Sequence, residues 1–116
     1  MSQAFGIALT ALKAFEKKLD VTANNVANVE TNNFKKSRAE LQEAANGGVK
    51  VTISSVDTPG MEIDPNVQTG VAQQTSNVTL EEEIADQILT QYSYEANILT
   101  IKTATEMQKE LLDIKA

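Results

Sequence analysis

Residues 79–116 read TLEEEIADQILTQYSYEANILTIKTATEMQKELLDIKA, a stretch with no glycine or proline. It opens on Thr79 with Glu82 three residues on, the spacing of a capping box, in which each side chain satisfies a free backbone N–H at a helix start. Glu81, Glu82 and Glu83 fall where the positive end of the helix dipole favours carboxylates. The pattern predicts a helix from this point toward the last residue. At some 35 residues it would be about 50 Å long, well beyond the globular average. Ala85, Leu89, Tyr92, Ala96, Leu99, Thr103, Met107, Leu111 and Ile114 form a stripe along it, widened by Ile84, Ile88, Ile98 and Ile101. One partner helix cannot cover a stripe that wide, so the remainder implies self-association.

Working back along the chain, a second helical pattern occupies residues 5–29. Phe5, Ala8, Leu12, Phe15, Leu19, Thr22, Val26 and Val29 recur at alternating steps of three and four, which sets them on one face as a heptad-like seam. Both prolines and four of the five glycines lie between positions 47 and 70, so a broken middle separates the two helices. After the turn Asn46-Gly47-Gly48, the alternation Val49-Lys50-Val51-Thr52-Ile53-Ser54 reads as a half-buried strand. Residues 59–74 read as extended loop, with a second short strand at 67–72. The expected fold is mainly α: a long antiparallel, coiled-coil-like hairpin of N- and C-terminal helices around a short extended or β-hairpin middle. One domain spans 1–116, comprising 1–41, a middle at 42–76 and a C-terminal helix at 77–116.

Composition narrows the function. Only 4% of residues are aromatic, so Leu, Ile, Val and Ala must build the core, and a net charge of −6 is the wrong sign for binding nucleic acid or an anionic membrane. No run reaches the roughly 20 apolar residues of a membrane-spanning helix, and the first residues lack the basic region of a Sec signal peptide. The chain has no Cys and no His. With no phosphate-binding loop or spaced carboxylate pair either, neither catalysis nor a bound cofactor or metal is expected. Glu81 to Glu83 are consecutive, point around the helix and cannot converge on one ion. The clusters Lys17-Lys18 and Lys35-Lys36-Ser37-Arg38 read as solvated faces or as pairs with Glu.

Residues 19–41, LDVTANNVANVETNNFKKSRAEL, resemble the N-terminal signature of the bacterial flagellar rod and hook protein family, Leu-Asp-x-x-(Ala/Ser)-Asn-Asn-(Ile/Val)-Ala-Asn-x-x-Thr-x-Gly-(Phe/Tyr)-Lys. The matching positions are Leu19, Asp20, Ala23, Asn24, Asn25, Val26, Ala27, Asn28, Thr31, Phe34 and Lys35. Asn33 stands where the family has Gly, and Asn is the residue that best tolerates a left-handed backbone after glycine. The C-terminal stretch is similar to the family's second motif at Asn77-Val78, Glu82-Glu83, Gln91, Tyr94-Glu95-Ala96-Asn97, Lys102-Thr103-Ala104 and Met107. The short middle resembles the small proximal rod proteins, whereas the terminal motifs resemble the distal type.

The resemblance implies a structural subunit of the periplasmic basal-body rod, exported through the flagellar type III apparatus without a Sec signal. Its partners would be further copies and other rod subunits. The Asn24-Asn25-Val26-Ala27-Asn28 run is poor helix material, and its amides are expected to bond to a neighbouring subunit. Leu19, Val26, Thr31 and Phe34 complete the expected N-terminal interface. At the other end, Tyr92 is expected in the intramolecular seam, Tyr94 with Glu95 and Asn97 at a neighbour, and Leu99 in the seam covered by both. The alternative is a soluble coiled-coil adaptor that uses the same helical face to bind one flagellar or export partner.

Overall fold

The computed structural model describes residues 2–63 and 73–115. In chain order they form α1 (Ser2–Ala27), β1 (Ser37–Glu43), β2 (Val49–Ser55) and α2 (Leu80–Lys115). The strand expected at 67–72 lies outside the described residues.

The α1 seam is as the heptad spacing predicts, since each of its eight positions is buried or half-buried. The helices run antiparallel: the Asn97 amide donates to the Ala8 carbonyl at 2.8 Å, and at the other end of α1 the Asn25 amide donates to Glu83 at 3.2 Å. The molecule is a slender rod with extents of 80 × 26 × 13 Å.

The middle is a β-hairpin. β1 pairs antiparallel with β2, Ser37 opposite Ser55 and Glu43 opposite Val49. Its turn is closed by Gly47 N–H on the Ala44 carbonyl at 3.0 Å, and Gly47 itself takes φ 88°, a left-handed conformation suited to glycine. Ser37, Ala39, Leu41, Val49 and Val51 are half-buried while Arg38, Glu40, Gln42, Lys50 and Thr52 are exposed, so one pleated face lies on α1. Two clamps hold it there: Thr10 Oγ1 accepts from Val49 N–H at 3.0 Å, and the Asn25 side chain bonds both Ser37 N–H and Ser37 C=O. Residues 10 and 25 are about 22 Å apart along α1, the length of a seven-residue strand. The hairpin therefore lies lengthwise on the helix.

Two expectations are corrected. The capping box at Thr79 and Glu82 does not form. Glu82 is drawn instead to Lys36, at 3.4 Å, and Thr79 contributes its carbonyl to Glu83 N–H. The apolar stripe of α2 is also not its seam. Glu83, Thr90, Tyr94, Asn97, Ile101 and Ala104 face α1, while Leu89, Tyr92, Leu99, Met107, Leu111 and Ile114 are exposed. At 100° per residue the stripe lies roughly 140° round the helix from the seam. The reason is hydrogen bonding: the face turned to α1 carries the amide and carboxylate that meet Ala8 and Asn25.

Candidate assembly surfaces

The polar seam converges on Asn25, which is 1% exposed. Its Oδ1 accepts from Ser37 N–H at 3.0 Å, and its Nδ2 donates to Ser37 C=O at 2.9 Å and to Glu83 Oε1 at 3.2 Å. One amide thus joins α1, β1 and α2. Beside it, Glu83 is buried in the first turn of α2. Burial pushes its carboxyl above the ordinary value of 4.5; the Asn25 hydrogen bond opposes this, Asp86 and Glu82 reinforce it, and Lys36 counteracts it.

Asn77 is a second junction. Its Oδ1 accepts from Lys36 N–H at 2.7 Å, and its Nδ2 donates to the carbonyls of Val56 at 2.7 Å and Thr58 at 3.0 Å. Asn33 adopts φ 63°, so the left-handed turn expected of it is present. Its Oδ1 also accepts from Gln74 N–H at 3.0 Å, a bond glycine could not make. Lys35 Nζ reaches Gln74 Oε1 at 3.0 Å, tying the same turn to the chain that leads into α2.

The structure therefore spends most of the motif inside the subunit. Asn25 is in the core, and Asn28 Nδ2 donates to the Asn24 carbonyl and Oδ1 while its own Oδ1 accepts from Thr31 Oγ1, closing the end of α1. The amides offered to a neighbour on sequence grounds thus bond within the chain. Phe34 is half-buried, as are Leu19 and Val26. Tyr94, not Tyr92, occupies the intramolecular seam. Tyr94 is half-buried in the seam with its hydroxyl 3.4 Å from Glu16, and Tyr92 is 67% exposed. Asn97 is held by Ala8, whereas Glu95 and Leu99 are exposed, Leu99 at 62%.

What remains outside is apolar. Leu89, Tyr92, Leu99, Met107, Leu111, Leu112 and Ile114 on α2, with Ile7 and Leu9 on α1, form exposed surface far more extensive than the thin core, where Ala14 is the buried hydrophobic residue among those described. Among the described residues no cluster of metal-ligating side chains occurs, and no helix is long and apolar enough to cross a membrane.

Polar bonds turned inward and large apolar side chains turned outward along a slender rod leave the kind of exposed apolar surface that marks an interaction site. The comparisons give the family. Residues 5–35 match the family described as flagella basal body rod protein, and residues 72–114 the one described as flagellar basal body rod FlgEFG protein C-terminal. The flagellar basal-body rod protein FlgC of Buchnera aphidicola subsp. Acyrthosiphon pisum (strain APS) is 32% identical over an alignment of 128 positions, gaps included, which covers 95% of this chain and 94% of that protein. The chain belongs to the flagellar basal-body rod protein family. The matches agree on the family and name different members of it.

Proposed function

We propose that this rod component acts as a structural subunit that polymerises helically through its terminal helices, contacting further copies and other rod subunits in the periplasm after passing through the flagellar export apparatus. The observation that carries this is the outward apolar stripe of α2, which none of the described residues covers. Such a surface, meeting a different face of its neighbour, makes a heterologous contact, which repeats along a screw axis when the rotation between copies does not close a ring. Tyr92, Glu95 and Leu99, exposed on α2, would touch a neighbour. Asn25, Tyr94 and Asn97 act indirectly, by fixing which face of α2 points out.

Leu99→Asp tests this. Because Leu99 is mostly exposed in the subunit, the substitution should change the stability of the free chain by no more than about 0.5 kcal/mol. In an assembled stripe it would bury an unpaired carboxylate, at a cost of several kcal/mol. Cells carrying it should export a folded protein yet lack complete rods and fail to swim. Normal swimming would refute the stripe as the assembly surface, and a closed dimer insensitive to the change would favour the adaptor.

A further inference from the structure

The last three turns of α2 and a groove on α1 form a matched pair on different faces of one molecule. The antiparallel register set by Ala8 with Asn97 and Asn25 with Glu83 brings the packed part of α2 to an end near Ala104. Every side chain from 105 to 114 is exposed. Three turns of helix without packing are marginal in water, so this segment needs a partner. On it Met107, Leu111 and Ile114 make an apolar row at steps of four and three. Glu106, Glu110 and Asp113 make an acidic row beside it at the same steps.

The groove runs between α1 and β2, with a volume of about 520 Å³. Ala14, Val49 and Val51 give it an apolar floor, and Lys13 and Lys17, one turn apart, stand on its rim. Both lysines are exposed and neither has an ion-pair partner among the described residues. Glu16 and Asp20 also line the groove, about 60° further round α1 from its apolar floor than the lysines, Glu16 with its carboxylate toward the Tyr94 hydroxyl. From Thr10 to Asp20 the groove follows about 15 Å of α1, which is the length of the ten exposed residues of α2.

We propose that the groove between α1 and β2 receives residues 105–114 of a second copy, with the Met107, Leu111 and Ile114 row on its floor and Glu106 and Glu110 against Lys13 and Lys17. The charge pattern selects this occupant: two cations one turn apart on the rim face two anions one turn apart beside the apolar row. Groove and helix end belong to different faces, so the contact is heterologous and successive copies are staggered by about 25 Å along the helix axis. The inference rests on the polymerising-subunit reading and adds to it which surfaces meet.

The chain lacks cysteine, which makes site-directed cross-linking clean. Val51→Cys and Leu111→Cys chains, mixed and oxidised mildly, should form a heterodimer that neither forms alone, and the double variant should form a ladder of multimers. Adding Lys13→Glu and Lys17→Glu should lower the cross-link yield roughly tenfold, and combining these with Glu106→Lys and Glu110→Lys should restore it. Homodimers from either single variant, no mixed product, or failure of the reversed pair to rescue would each overturn the proposal. The same pair of substitutions probed in isolated basal bodies separates the two levels. If the protein is present there but the two introduced thiols do not link, this contact is wrong and the subunit reading survives. If the protein is absent from basal bodies, both fall.

Discussion

Asn25→Ala removes the one side chain that touches α1, β1 and α2 together. Three hydrogen bonds at 3.0, 2.9 and 3.2 Å are lost. At about 1 kcal/mol net for each, the cost is about 3 kcal/mol, and it rises where the stranded Glu83 carboxylate stays buried. Alanine's better helix propensity returns roughly 0.5 kcal/mol, leaving a loss of about 2–3 kcal/mol. Against typical stabilities of about 0.05–0.15 kcal/mol per residue, that is a large fraction for a thin-cored rod. The control is Asn24→Ala one residue away. That side chain is exposed, and its carbonyl still accepts from Asn28 after the change, so the effect should stay under about 0.5 kcal/mol. Urea unfolding of the free chain followed by circular dichroism measures both. Hydrogen exchange should also show the hairpin amides of Asn25→Ala losing protection before those of α1, because the clamp at Ser37 is gone while that at Val49 remains. If the two variants unfold within about 0.5 kcal/mol of each other, the Asn25 junction does not hold the subunit together.

The buried carboxyl gives a pH prediction. Since the folded chain holds the Glu83 proton more tightly than the unfolded chain, this group makes the subunit more stable as pH falls through its raised folded value, with no further change below the ordinary 4.5. Glu83→Gln keeps an acceptor for Asn25 and removes the charge, so it should stabilise the free chain near neutral pH, with the gain vanishing by about pH 4; thermal melts of both proteins across pH check it, and a gain that grows on acidification would contradict the assignment. Thr90 is 3% exposed, and its hydroxyl is the buried side-chain oxygen without a hydrogen-bond partner among the described residues. Thr90→Val should therefore raise stability by about 1 kcal/mol, read as a shift in denaturation midpoint at unchanged slope, and a loss of that size would mean the hydroxyl has a partner.

The sequence alone determined the two long helices, their antiparallel pairing, the strand at Val49 and the left-handed turn at Asn33, because each rests on local physics: periodicity, glycine and proline placement, and the tolerance of asparagine for positive φ. The α1 seam was legible for the same reason. β1 was harder to see, because Ser-Arg-Ala-Glu-Leu-Gln-Glu is made largely of helix-favouring residues; it is a strand because Gly47 closes a turn that delivers it to β2 and because Asn25 clamps Ser37. Only the tertiary structure decided which face of α2 points inward. Hydrophobic patterning assigns the apolar stripe to the nearest partner, but beside its apolar seam α1 presents a backbone carbonyl at Ala8 and an amide at Asn25. Buried polar groups must find partners, and Glu83, Tyr94 and Asn97 find theirs on α1, so their face turns in and Tyr92 and Leu99 are left outside. The motif asparagines change role by the same rule, since whether an amide bonds to its own chain or to a neighbour depends on distances that spacing in a sequence does not contain.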